Sequence, residues 1–217
     1  MSADAQYVME LPLRAARGRA DFMVSGSNAI AVEMIDQWAD WPRGRLVLVG
    51  PARSGKTHLA SVWAEQSGAE IAAAPGAIDG TRPLVIEDVD RLAGDPDGEA
   101  ALFHLINRYD GARAPLLLTG QAVPGEIVLP DLRSRLAATA QVEIGPPDDA
   151  LLSSVLIKLF ADRQLRVEPK VIGYIINRME RSCAAAEALV ERLDTASLRA
   201  KKRVTIALVR DHAGWEI

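Results

Sequence analysis

The chain of 217 residues has one cysteine, Cys183, so an intrachain disulfide and a zinc site built from several thiolates are both excluded. No apolar run approaches the roughly 18 residues that a membrane span requires. The first residues, MSADAQYVMELPLRAARGRA, lack a basic start followed by a long apolar stretch, so no secretory leader is expected and a cytoplasmic location is. Aromatic residues are scarce, at 5%, and packing falls to the plentiful Ala, Leu and Val. Nor is there an excess of positive charge. Lys and Arg number 25 against 29 Asp and Glu, a net charge of −4, which argues against DNA binding by the surface as a whole and leaves only local basic patches. With 49% apolar and 25% charged residues, the composition is that of a globular chain rather than a disordered or fibrous one.

Residues 1–20 show no sustained periodicity and read as a flexible tail with a short apolar insert, Met9-Glu10-Leu11-Pro12-Leu13. A helix is expected from Ser27 or Asn28, either of which has a side chain suited to capping it, with Ile30, Met34, Ile35 and Trp38 at helical spacing up to the break at Pro42. Arg45-Leu-Val-Leu-Val-Gly50 is a short apolar run of the kind found in buried parallel strands, and a helix over 56–66 follows. Further strands are expected at 83–86, 115–119, 140–144 and, more weakly, 69–73, with a helix across 98–110. Alternating strands and helices imply a parallel sheet covered on both faces. Gly145-Pro146-Pro147-Asp148 interrupts this pattern. Beyond it only amphipathic helices are predicted, at 148–163, 169–180, 183–200 and 205–212. The expected organisation is a tail over 1–20, an α/β lobe over 21–146 and a helical lid over 147–217.

Gly50-Pro51-Ala52-Arg53-Ser54-Gly55-Lys56-Thr57 matches G-x-x-x-x-G-K-[ST] in full. An accidental match arises in about one chain of this length per hundred at average residue frequencies. Here the octet also lies between a predicted strand and a predicted helix. Glycines allow the backbone to wrap a phosphate, its N–H groups become inward-facing donors, and the following helix turns its positive end to the same anion. Lys56 is placed on the β- and γ-phosphates and the Thr57 hydroxyl on Mg²⁺, with ADP or ATP as the nucleotide. His58 directly follows, beside the bound nucleotide, and its ring is read as structural rather than chemical.

About thirty residues downstream, Leu84-Val85-Ile86-Glu87-Asp88 carries acids at a strand tip. Most such enzymes have Asp then Glu, for metal and attacking water respectively. Here the order is reversed. Glu87 and Asp88 are both read as metal-side residues, Asp88 being shorter and reaching less far toward a water. A second register makes Asp88 the metal residue and leaves Val89 in the base position, and a structural role capping the next turn is the third option. Binding is expected to be better supported than turnover.

In this order the features resemble the AAA+ ATPases, and within them the DnaA type. Phe22-Met23-Val24-Ser25-Gly26-Ser27-Asn28 resembles the segment that lines the adenine pocket, which brings Phe22 and Val24 to the nucleotide. Pro115-Leu-Leu-Leu-Thr119-Gly-Gln121 resembles the sensor 1 strand, whose polar tip residue, Thr119 or Gln121, would contact the γ-phosphate or the water. Leu132-Arg133-Ser134-Arg135-Leu136 resembles the arginine-finger box and points to Arg135. At the sensor 2 helix, Ala184 stands where an arginine is expected, with Arg181 one turn away.

Initiators of the DnaA type continue into a helix-turn-helix domain, and none is expected here after the lid. An ATPase module of this kind resembles the Hda family of regulatory inactivators of DnaA. The resemblance implies a P-loop AAA+ module that holds a nucleotide, docks on the DNA polymerase III sliding clamp through its tail, reaches DNA only through that clamp, and presents Arg135 to ATP bound by the DnaA initiator. No membrane partner is implied, and a homodimer is left open. The clamp-binding pattern Gln-Leu-x-Leu-Pro-Leu is matched at Leu11-Pro12-Leu13, but Val8 stands where Gln is expected and Gln6 lies two residues early. Packing of that tail on its own domain is the competing expectation. Two other functions fit the motifs: a helicase-loader type of ATPase with turnover of its own, and a non-catalytic scaffold supported by nucleotide. Trp38, Trp41, Trp63 and Trp215 are expected to pack, and Arg199, Lys201, Lys202 and Arg203 to solvate a helix end.

Overall fold

The computed structural model describes residues 22–76, 78, 80–122 and 127–215. Gln6, Val8, Met9, Leu11, Pro12 and Leu13, on which the clamp-binding expectation rests, lie outside the described residues.

Five short strands form one parallel sheet in the order β2-β3-β4-β1-β5. They are β1 (Arg45–Val49), β2 (Glu70–Ala72), β3 (Leu84–Ile86), β4 (Leu116–Gly120) and β5 (Ala140–Glu143). The central three are apolar at nearly every position because both faces are covered, which is why they read as continuous runs rather than alternating ones.

Successive side chains of a strand point to opposite faces. Leu46, Leu48, Val85 and Leu117 meet α1 (Ala29–Asp36) and α2 (Lys56–Ser67) through Ile35, Leu59 and Trp63. Val47, Val49, Leu116 and Leu118 meet α3 (Pro96–Ala112) and α4 (Pro130–Ala137) through Leu102, Ile106 and Leu136. Trp41 stacks at a tilt on Trp63 at 5.0 Å, so these indoles fill core as expected.

The polar residues before α1 do not cap it. Asn28 is at the cap position without a side-chain cap bond. Its Oδ1 instead accepts from the Ser25 N–H (2.9 Å), and its Nδ2 donates to the Met23 carbonyl (3.0 Å). These bonds hold segment 22–28 in a turn whose Ser27 carbonyl accepts the Gly145 N–H at 2.9 Å. α1 ends at Asp36, before two short 3₁₀ turns, rather than running on to Pro42.

Helices α5 (Asp149–Asp162), α6 (Pro169–Ile176), α7 (Cys183–Ala200) and α8 (Ile206–His212) surround a core of their own, including Leu152, Leu156, Phe160, Ile175, Leu189, Leu193 and Val209. Each such side chain fully buried contributes about 1.5–3 kcal/mol. Asp148 starts the bundle by accepting the Leu151 N–H at 2.7 Å. That backbone bond is the chief reason its carboxyl lies below the ordinary range.

Candidate nucleotide site

β1 delivers its C-terminal end to the loop 50–55, and α2 begins at Lys56. Gly50 is fixed by close approach. A Cβ there would come 2.3 Å from the Ile144 carbonyl oxygen, so no larger residue fits without moving β5's exit. Gly55, at φ 104, turns the chain into α2 and offers no side-chain cap. The first-turn N–H groups of α2 therefore have neither an intrahelical acceptor nor a capping oxygen.

Ser54 is buried and its Oγ has no hydrogen-bond partner. The Lys56 ammonium donates to the carbonyls of Gly50 (2.8 Å) and Pro51 (2.9 Å). Burial holds its pKa below the ordinary lysine value, while the charges of Asp88 and Asp90 oppose that shift. An uncapped helix start, an unpartnered buried hydroxyl and a buried ammonium fit a phosphate chain. Thr57 is exposed at the same turn.

On the acidic side, β3 ends at Ile86, and Asp88 takes a left-handed backbone (φ 52). Its N–H donates to Thr119 Oγ1 at 3.2 Å, and its carboxylate pairs with Arg91 at 2.8 Å. A 3₁₀ turn over 89–92 then swings Asp90 back, and its Oδ1 accepts the Gln121 N–H at 3.0 Å. Thus Asp88 and Asp90 carry charge felt at Lys56. Val89 is buried in the core. Sequence spacing missed Asp90, which follows the strand tip by four residues. Glu87 is half-buried beside Asp88, and among the described residues no cluster of three or more His, Cys, Asp or Glu is arranged to hold a metal.

Phe22 and His58 meet edge-on, with ring centroids 5.1 Å apart, so the predicted adenine segment does reach the residue after the loop. Val24 is half exposed nearby in sequence. From the helical bundle, Glu180 reaches back and accepts from Arg53 Nη1 at 3.2 Å, while Pro51, Ala52 and Arg53 are otherwise open to solvent. Arg181, one turn from Ala184, is paired with Asp149 at 2.6 Å.

Arg135 lies elsewhere. Its Nη1 is 2.9 Å from Asp110 Oδ2, and the other oxygen of that carboxylate is 2.8 Å from Nη1 of Arg45, the first residue of β1. Arg135 is therefore at the end of the sheet opposite the loop. Arg133 donates to the Ile127 carbonyl.

The lid-domain model of the Hda family matches residues 149–212. Over those residues the chain is similar to the Hda family. Its fold is that of the AAA+ modules. Domain III of the Thermotoga maritima replication initiation protein DnaA superposes with a TM-score of 0.76 at 18% identity, covering 94% of this chain and all of that one. AMPPCP-bound DnaA from Aquifex aeolicus gives 0.69 at 17% identity over 82% of this chain and 65% of that chain. The Thermotoga maritima RuvB Holliday junction branch migration motor gives 0.64 at 20% over 84% and 64%. The expected P-loop AAA+ architecture is thus present, and the likeness to the Hda family lies in the lid residues. No helix among the described residues is long and apolar enough to cross a membrane.

Proposed function

We propose that this Hda-like chain holds ADP or ATP with Mg²⁺ on residues 50–57 and restrains replication initiation by promoting ATP hydrolysis on a DnaA initiator, together with the DNA polymerase III sliding clamp. One observation carries the reading: an open, uncapped phosphate loop occurs in the same chain as an Hda-type lid. Bound magnesium would neutralise charge between the phosphates. Around it the chain's own residues bind and orient. Lys56 leaves its two carbonyls for the phosphates, the N–H groups of Gly55, Lys56 and Thr57 donate, and Phe22 with Val24 and His58 borders the base. Thr57 would hold the metal, and Glu87 and Asp88, with Gln121, stand at the strand tips opposite.

Arg135, held far from this loop, is the group presented in trans. A guanidinium supplied to another protein's triphosphate stabilises the charge of the transferring phosphoryl group, worth about 10³-fold or more in rate. The division into an α/β lobe to residue 146 and a lid from 147 belongs to the same proposal, with Arg53–Glu180 closing the cleft between them. DNA is reached through the clamp, in the cytoplasm, and a second copy of the chain is an admissible partner.

The test adds this protein to ATP-loaded DnaA with clamp and DNA and follows phosphate release. Stimulation is expected, and Arg135→Ala is expected to remove it while ADP affinity by calorimetry stays unchanged. Absence of stimulation, or full stimulation by Arg135→Ala, overturns the proposal.

A further inference from the structure

At the N-terminal edge of the sheet, two chain reversals touch. Gly44 precedes β1 and lies against the Ala114 carbonyl that precedes β4, 3.6 Å from where a Cβ would stand. β1 and β4 are neighbours, with Arg45 opposite Leu116, so these reversals bring Arg43 and Arg113 to one place. Both have left-handed backbone, at φ 56 and φ 55, a conformation that costs energy outside glycine and recurs in ligand clamps. With Asp110 they line a cavity of about 430 Å³. Neither the Arg43 nor the Arg113 side chain has a recorded hydrogen bond or ion pair among the described residues, and Arg43 adds repulsive charge at Arg45.

Next in the chain, Arg45 is fully buried, and its Nε, Nη1 and Nη2 have no hydrogen-bond partner among the described residues. Nη1 lies 2.8 Å from Asp110 Oδ1 but off the hydrogen-bonding direction. Arg135 shares the same carboxylate. Two guanidinium groups thus share one aspartate, and two more line the pocket beside it, in a chain whose net charge is −4.

We propose that this pocket, lined by Arg43, Gly44, Asp110 and Arg113, binds a phosphate chain. A single carboxylate would leave most of the local excess uncompensated, whereas linked phosphates supply several charges and suit the planar forks of Arg43 and Arg113. The site is separate from the loop 50–57, and it needs neither nucleotide there nor action by Arg135 on a partner.

The first arm titrates tripolyphosphate into the Lys56→Ala protein by calorimetry at about 0.15 M salt, where surface attraction is screened. Saturable binding is expected, and adding Arg43→Gly with Arg113→Gly should weaken it at least about tenfold. Glycine is at home at these backbone angles, so the double variant is expected to fold, checked by circular dichroism. No saturable binding, or an unchanged affinity in the glycine variant, overturns the proposal.

A second arm identifies the source. Protein carrying Arg43→Gly and Arg113→Gly, loaded with a non-hydrolysable ATP analogue, is mixed with Lys56→Ala protein in a sedimentation experiment. A nucleotide-dependent complex supports the nucleotide of a neighbouring chain, while tripolyphosphate binding without a complex supports a free polyphosphate.

Discussion

Replacing Asp110 by asparagine keeps the side chain's shape and removes the carboxylate that lies 2.8 Å from Arg45, the only one recorded against it among the described residues. The Arg45 side chain is 1% exposed and that of Asp110 23%. Burial pushes the Arg45 guanidinium pKa down, Asp110 pulls it back up, and Arg43 and Arg135 press in the same direction as burial. Breaking a buried ion pair from one side costs about 3–5 kcal/mol, since it strands the other charge. The lower end applies here, because Asp110 is partly wetted. About 3 kcal/mol in a chain of this size lowers Tm by about 6–12 °C. Arg135→Ala strands nothing: the Arg135 side chain is 39% exposed and Asp110 stays on Arg45, so a loss below about 1 kcal/mol is expected. Scanning calorimetry of both variants reads the contrast. Combining Arg45→Met with Asp110→Asn should restore most of the loss, since an apolar replacement of a buried pair is often neutral. An Asp110→Asn protein within about 0.5 kcal/mol of the parent, or an Arg135→Ala loss as large, would refute the reasoning.

Gly50→Ala places a methyl group against the Ile144 oxygen, 2.3 Å away, and overpacking of this kind costs about 1–3 kcal/mol. Nucleotide affinity should collapse with it, and fluorescence titration with a labelled ADP that shows parental affinity contradicts the tight-approach argument. Asp148→Ala removes the side-chain cap of α5 and should cost about 1 kcal/mol, with amide exchange quickening first at Leu151. Lys56 gives a pH effect of definite sign. Its pKa is lowered on folding, so between that value and the ordinary 10.5 the unfolded chain binds more protons and stability rises with pH. A phosphate chain restores the charged form, so nucleotide binding should take up protons in this alkaline window. Calorimetry in buffers of different ionisation heat tests it, and zero uptake contradicts it.

The sheet was legible in sequence where burial is two-sided: Leu46–Val49 and Leu116–Leu118 are apolar whichever way they point. β2 was faint because Glu70 and Ile71 at the sheet's edge are exposed and carry little apolar signal. The loop 50–57 was plain because its glycines answer to backbone geometry alone. Its acidic partners were not. Counting from the strand tip stops at Glu87 and Asp88, whereas the left-handed Asp88 and the 3₁₀ turn after it return Asp90 to the site. The start of α1 misled for a related reason: Asn28 has the right chemistry for a cap, yet its amide is consumed in fastening segment 22–28. Arg45 and Asp110 meet only through strand register and helix packing, neither of which spacing encodes.

That pairing also decides what Arg135 can serve. Period-two alternation puts Arg45 on the face of Val47 and Val49, covered by α3 and α4, and its position as the first residue of β1 puts it at the end remote from Gly50. A five-residue strand spans about 16 Å, and its hydrogen bonds to β4 and β5 allow no shortening. Held at that far end by Asp110, Arg135 would have to cross the length of the sheet to touch a phosphate on its own loop. Any phosphate that it meets must therefore come from outside the chain's own nucleotide site. A guanidinium that is partly exposed, and whose release leaves Arg45 still neutralised, is free to turn outward at little cost. The buried pair keeps the scaffold, and the exposed partner is the one that can move.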